Sequence, residues 1–315
     1  MKDKIIIITG PTASGKSDIA INIARKINGQ ILSADSQQVY IGMDIGTNKV
    51  SDPFVVDHHL LNLVDPDDEF TVEDFRKNAS DIISKLNSRH IMPIITGGTG
   101  FYIDSLLFEM NYGQVKKDSR IRNKLESLAE INGNDFLYNK LKEIDPNTAE
   151  KYHPNELNRI IRALEIYEIT GEKPSEKRTG ERVLNKNIDP ILFFLNYNDR
   201  QILYDRINDR VIEMINQGLV EEFKYIVENF NLDENSQSMA AIGYKEIFPY
   251  IRGEISLDEM INLIQRNTRR YAKRQITWMK KYLNYPFTRE IIMDDLSKDD
   301  ATMIIEDLIK DIYEF

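Results

Sequence analysis

The chain has 315 residues, of which 41 % are hydrophobic and 29 % charged, enough for one large domain or a core carrying an insertion. It has no cysteine, which excludes disulfides, thiolate metal sites and cysteine nucleophiles. A formal net charge of −10 argues against a uniformly basic nucleic-acid binder, so any contact with phosphate must come from locally concentrated positive charge.

The first apolar run, Ile5 to Ile8, is too short for a secretory h-region or a membrane span and leads straight into a glycine loop. A mature N-terminus and a cytoplasmic protein without a membrane partner are therefore expected. Ile5 to Thr9 reads as a strand buried on both faces. Ile19, Ala20, Ile23, Ala24 and Ile27 then fall at helical spacing. Gln30 to Ala34 is a short second strand. Thr71-Val72-Glu73-Asp74 resembles a helix cap, opening a helix to about Leu86 with Phe75, Ala79, Ile82, Ile83 and Leu86 inward. Ile91 to Thr96 is the third strand. From about Tyr112 only helical patterns follow, broken at Asn132-Gly133-Asn134, Asp145-Pro146 and His153-Pro154. Strand character returns at Ile191 to Leu195, followed by a helix from Asp199 to about Asn216. The remainder is expected to be helical, closing with a helix around Ala301 to Ile312.

Gly10-Pro11-Thr12-Ala13-Ser14-Gly15-Lys16-Ser17 matches G-x-x-x-x-G-K-[ST] between a buried strand and an amphipathic helix. Glycines there let backbone N–H groups turn toward phosphate oxygens. Lys16 adds a point charge, Ser17 can ligate magnesium, and the helix N-terminus favours an anion. The motif reports a polyphosphate without saying which one. Strand–helix alternation around such a loop implies an α/β fold: a P-loop NTPase-like parallel sheet flanked by helices, with an all-helical insertion domain. The expected boundaries put the core at 1–112 and 188–315 and the insertion at 113–187.

Asp35 closes the second strand on the same sheet edge. It can accept a proton from a nucleophile, hold a magnesium-bound water, or cap the following turn. Ser36-Gln37-Gln38-Val39-Tyr40 is rich in groups that can hydrogen-bond a base edge, and its Tyr can stack or simply pack. Thr96-Gly97-Gly98-Thr99-Gly100 is a second glycine-rich turn, explained by close approach to a ligand or by a tight strand-to-helix connection. Thr99 could donate there to a diphosphate oxygen or to the reacting group. His58 and His59 are adjacent and cannot both face one ion from a regular element, so they read as structural or exposed. From Arg266 to Lys281 the chain carries Arg266, Arg269, Arg270, Lys273, Arg274, Lys280 and Lys281 with no acid. Lys116, Lys117, Arg120, Arg122 and Lys124 form a second basic cluster against Asp118 alone. Arg159 and Arg162, at i and i+3, share a helix face with little acid nearby and could meet phosphates or belong to a salt-bridged surface.

Taken together, GPTASGKS, ADSQQVYIGMDIGTNK, HHLLNLVDP, GGTGFY, NRIIRALEIYEITG, AIGYKE and TRRYAKRQITW resemble, in order and spacing, the tRNA dimethylallyltransferases, also called tRNA isopentenyltransferases. The resemblance runs from Ile5 to Trp278. It implies a dimethylallyl transfer from dimethylallyl diphosphate to the exocyclic amine of the adenosine 3′ of the anticodon in tRNA. Gly10 to Ser17 would hold the diphosphate with Mg2+ at Ser17, and Asp35 would be the general base on a flipped-out adenosine. Thr99 would touch the base or the diphosphate. Contacts to the tRNA anticodon stem-loop would come from Asp35, Ser36, Gln37, Gln38, Thr99 and Arg122. They would also come from Asn158, Arg159, Ile160, Ile161 and Arg162, and from Ala240, Ala241, Ile242, Gly243, Tyr244 and Lys245. The chain would act as a monomer. It departs from the family pattern at Arg270 and Ala240, where Gln is usual, and Gln37 occupies a variable position.

The alternative from the residues alone is a P-loop small-molecule kinase, with Asp35 deprotonating a hydroxyl. A nucleotide switch is disfavoured because Asn48-Lys49-Val50-Ser51 lacks the Asp of N-K-x-D, and the strand before the second glycine turn ends in Thr96 and not an acid.

Overall fold

The structure, a computed structural model, describes residues 2–49, 56–109, 117–177 and 182–313. The described residues fall into two compact units: Met1–Leu107 with Asn185–Phe315, and Phe108–Leu184. The expected breaks after 112 and 187 lie a few residues downstream of these; the first of them, like Lys116, falls outside the described residues.

In the first unit, β1 (Asp3–Thr9) leads into α1 (Lys16–Lys26), then β2 (Gly29–Ser33), β3 (His58–His59), α2 (Val72–Ser88), β4 (Met92–Gly97) and α3 (Gly100–Leu107). After the second unit the chain returns as β5 (Ile188–Asn196). The sheet order is β3-β2-β4-β1-β5-β6, where β6 is Thr288–Ile292, and every pairing is parallel. β1 is central, with Ile7 in register with Ile95 on one side and Leu192 on the other. Ile5 to Ile8 are fully buried, as a strand covered on both faces must be. Thr71 caps α2 as its sequence implies, with Asp74 completing a capping box.

Two strands were not legible as expected. His58 and His59 form the edge strand β3, paired with Ile31 and Leu32 of β2, and His59 Nε2 lies 2.8 Å from Gln30 Oε1. They are sheet residues. The second miss is β6, in a region expected to be helical: Thr-Arg-Glu-Ile-Ile pairs with β5 on the far edge, where one side of the strand meets solvent and charge is tolerated.

The second unit is helical: α4 (Ser119–Asn132), α5 (Asn134–Ile144), α6 (Pro146–Ala149), α7 (Leu157–Thr170) and α8 (Pro174–Lys177). Gly133 breaks the chain between α4 and α5 at φ 83°, and Asp145 caps α6 through its bond from Thr148 N. Leu125, Leu137, Leu141, Ile160 and Leu164 form its core. The C-terminal part of the first unit then adds α9 (Arg200–Asn216), α10 (Leu219–Phe230), α11 (Ile247–Ile251), α12 (Leu257–Met279) and α13 (Lys298–Ile312). No described helix is long and apolar enough to cross a membrane.

Because Ile7 is sealed between two neighbouring strands, Ile7→Ala leaves a cavity that the sheet cannot collapse into. The expected cost is about 2–5 kcal/mol, read as a lower urea midpoint.

Candidate active site

Parallel strands release their following loops at one edge, and three of these loops meet there. Gly10 to Ser17 joins β1 to α1, residues 34–49 follow β2, and residues 98–99 join β4 to α3. The first two, together with Thr96 and Gly97 at the end of β4, border a cavity of about 290 Å3. Thr12, Ala13, Lys16 and Ser17 line its floor, and Asp35, Ser36, Gln37 and Gln38 one wall. Ile207, Arg210, Val211 and Met214 of α9 and Tyr271, Arg274 and Gln275 of α12 also line it.

The glycine loop folds as its sequence requires. Gly15 takes φ 84° at the start of α1, a conformation that strains residues with a Cβ. Lys16 Nζ donates to Pro11 O at 3.2 Å. Burial strips water from this ammonium and lowers its pKa to about 8; Asp35 opposes the shift and Arg210 adds to it. Arg210, itself lowered by burial, donates through Nη1 to Thr12 Oγ1 at 3.1 Å. Ser14 Oγ and Thr96 Oγ1 are buried without a partner among the described residues. An electropositive loop with unmatched polar groups suits a bound anion.

Asp35 both caps a turn and faces the cavity. Its Oδ1 accepts from Gln37 N at 2.9 Å, while Oδ2 has no hydrogen-bond donor among the described residues. Thr99 Oγ1 accepts from Ser36 N at 3.0 Å and lies 3.3 Å from Ser36 Oγ, so it braces the segment after Asp35; it is not among the cavity-lining residues. Burial, reinforced by Asp35, pushes the Tyr271 phenol up to about 12.

The second glycine turn is explained by the protein's own chain. A Cβ on Gly97 would lie 2.2 Å from Ala34 O, one on Gly98 would lie 2.0 Å from Gln275 Nε2, and one on Gly100 would lie 2.2 Å from Trp278. The segment Asp44 to Gly46 is held from α10: Glu222 accepts from the N–H groups of Asp44, Ile45 and Gly46 at 2.8–3.1 Å and from Tyr244 Oη at 2.6 Å.

Several expected RNA contacts have other surroundings. Tyr244 is fully buried against Gly46, so its side chain packs inside the fold. Ile160 and Ile161 face the helical unit's own core. Ala240, Ala241, Ile242 and Lys245 do line the cavity, whereas Gly243 is buried, its N–H on Glu246. Arg159 and Arg162 are not acid-free, since Arg159 pairs with Glu156 and Arg162 with Glu165 at 2.7 and 2.6 Å. Glu165 is fully buried and also binds Arg122 at 3.1 Å and Asp118 N at 2.8 Å. Burial would raise this carboxyl, but the bonds from Arg122 and Arg162 hold it below its usual range. Asn158 opens the first turn of α7.

Arg210, Tyr271, Gln275 and Glu222 were missed. A usable signal existed for Arg210 alone: it interrupts the inward stripe Ile207, Val211, Met214 of α9, and an arginine in an apolar stripe has a buried purpose.

A parallel sheet carrying this loop, this carboxylate and these arginines on one edge defines the P-loop-like α/β class of group-transferring enzymes. A model of the family described as IPP transferase matches residues 38–282. The chain is 48 % identical over 299 residues to a tRNA dimethylallyltransferase of Thermoanaerobacter sp. (strain X514), covering 94 % of this chain and 93 % of that one. It is 44 % identical over 319 residues to the tRNA dimethylallyltransferase of Caldanaerobacter subterraneus subsp. tengcongensis, covering 100 % and 98 %. Among solved structures, the tRNA isopentenylpyrophosphate transferase of Bacillus halodurans superposes with a TM-score of 0.70 at 38 % identity, covering 98 % and 96 %. A eukaryotic dimethylallyltransferase acting on tRNA superposes with a TM-score of 0.81 at 32 % identity, covering 98 % of this chain and 80 % of that one. The chain belongs to the IPP transferase family of prenyl-transferring enzymes.

Folding with a charged, dehydrated Lys16 costs stability below its folded pKa. The unfolded chain holds this proton up to the ordinary value of 10.5 and the folded chain only to about 8, so stability rises with pH between the two. Lys16→Met is therefore expected to raise the thermal midpoint at pH 7. That gain should shrink as pH climbs from about 8 toward 10.5, in melts recorded across the range.

Proposed function

We propose that this chain transfers a dimethylallyl group from dimethylallyl diphosphate to the exocyclic amine of the adenosine 3′ of the anticodon in tRNA. The observation that carries the reading is the pairing, across one cavity, of the Gly10–Ser17 loop with Asp35, whose Oδ2 is uncommitted among the described residues. It is supported by membership of a family whose named relatives act on tRNA. Neither the family match nor the named relatives lend support to the kinase reading.

In this reading the loop amides, Lys16 and Arg210 neutralise the diphosphate, so the allylic C–O bond breaks with the charge already met. The amine nitrogen forms the new bond to the allylic carbon and passes its proton to Asp35 Oδ2. Magnesium would be held by Ser17 together with the phosphates. The Ser17 hydroxyl is an oxygen donor at the loop, which suits an ion held largely by substrate and water. When bound, the ion supplies charge neutralisation on the leaving group. The apolar side chains Ile207, Val211 and Met214 face the allyl tail. Ser36, Gln37, Gln38, Ala240, Ala241, Ile242 and Lys245 are disposed toward the base and its neighbours. Arg122, Arg159 and Arg162 in the helical unit, and the exposed Arg266, Arg270 and Lys273 of α12, meet RNA phosphates. The enzyme is read as cytoplasmic and monomeric.

Incubation with magnesium, dimethylallyl diphosphate and unmodified tRNA should yield isopentenyl-adenosine on digestion and mass spectrometry. Asp35→Ala should lower the rate by about 10²–10⁴-fold. A folded protein that binds diphosphate and yields no product would return the kinase to the front.

Arg159→Ala combined with Arg162→Gln retains a donor for Glu165, and its effect should fall on RNA. Weaker tRNA binding is expected, with a log–log salt slope shallower by about 1.4–1.8 if two phosphates are lost. An unchanged slope in filter-binding titrations would remove this face from the interface.

A further inference from the structure

We infer that Gln275 is a positioning residue, whose carboxamide holds the phosphate loop in its anion-binding form by tying it to the glycine turn after β4. The inference rests on reading Gly10–Ser17 as the diphosphate site.

Gln275 is 5 % exposed, and both ends of its amide are engaged by backbone. Oε1 accepts from Thr12 N at 2.9 Å and Nε2 donates to Gly98 O at 3.1 Å. The orientation is forced, because a flipped amide would set its NH2 against the Thr12 N–H and its oxygen against the Gly98 carbonyl. No other uncharged side chain of this length offers one donor and one acceptor; Glu lacks the donor and Met lacks both. The helix behind the amide is anchored, with Ala272, Ile276 and Met279 buried on the same stretch of α12.

The geometry of the turn is cut to this side chain. A methyl on Gly98 would sit 2.0 Å from Nε2, so the absent Cβ is the space the carboxamide fills. The loop in turn depends on it. Thr12 has its N–H fixed by Gln275 and its Oγ1 fixed by Arg210, so one side chain sets both the loop's path and the seat of an arginine facing the cavity. Breaking the tie leaves a partly buried N–H and a buried C=O unpaired and frees the loop to leave its phosphate-binding path. The effect should fall on donor binding.

The two halves of the tie can be broken independently, and this makes the inference testable. Gln275→Ala removes the carboxamide. Gly98→Ala leaves it in place but pushes its flexible end off both partners. Titration calorimetry with inorganic pyrophosphate and magnesium would compare the wild type, Gln275→Ala, the volume-conserving Gln275→Met, Gly98→Ala and the Gly98→Ala/Gln275→Ala double variant. Each single variant is expected to weaken pyrophosphate by about tenfold. The double variant should be no weaker than either single, because both remove one interaction. In the transfer assay the KM for the donor should rise by the same factor, with kcat much less affected, while the thermal midpoints fall because two backbone groups lose their partners. Wild-type affinity in Gln275→Ala and Gln275→Met overturns the inference. So do Gln275→Ala and Gly98→Ala losses that multiply in the double variant, since the two changes would then act separately. A wild type that does not bind pyrophosphate overturns the diphosphate reading and this inference with it.

Discussion

All six strands run the same way, and the rest of the molecule follows from that constraint. A parallel strand must be re-entered from its far end, so each strand is followed by a crossover and each crossover begins at the same edge. Loops that are 20 to 90 residues apart in the chain therefore open side by side. The loop after β1, Asp35 after β2 and the turn after β4 meet without any of them needing to know the others' sequence. The helices added after β5 also line the cavity, through α9 and α12. They supply what an edge of loops lacks, namely rigid side chains facing the loops from outside.

Electrostatics follow the same division of labour. The chain is acidic overall, yet its basic residues are sorted by what surrounds them. Lys16 and Arg210 sit where water has been removed, and both are shifted downward for that reason. An anion entering the cavity meets charges that have already lost part of their hydration, which strengthens the attraction relative to a surface patch. The exposed basic residues of α12 are of the other sort, hydrated and salt-sensitive. Arg122 and Arg162 stand between the two cases, because a buried carboxylate orients both while leaving their outer faces to solvent.

How far the site could be read in advance depended on the range of the forces involved. The strand Ile5–Thr9, the loop Gly10–Ser17 and the capping box at Thr71 are local patterns, and each stands where its spacing put it. β3 and β6 escaped notice because edge strands carry little pattern: one is two histidines long, and the other, Thr-Arg-Glu-Ile-Ile, has no apolar–polar alternation and buries only Ile291. Arg159 and Arg162 were read with little acid nearby, although Glu156 and Glu165 are each three residues away; at i and i+3 both pairs were in reach of the helix rule. Gln275 and Glu222 had no local signature at all. Their partners are 263 and 176 to 178 residues distant, and nothing in the neighbouring sequence announces that a backbone amide waits there. The run Arg266–Lys281 was read by its charge, and its inward residues, which shape the cavity, were hidden by that charge.

The helical unit begins and ends at adjoining points. Phe108 and Leu184 form an antiparallel bridge, Glu109 N bonds Val183 O at 2.8 Å, and on the core side Asn185 N bonds Leu107 O at 2.9 Å. The two chain crossings are thus neighbours within each unit taken separately. Such an arrangement is what a single genetic insertion leaves behind: a segment can enter a surface turn, or be lost from it, without shifting the register of any strand. A descendant of the core could exchange this cassette while inheriting the Gly10–Ser17 loop intact.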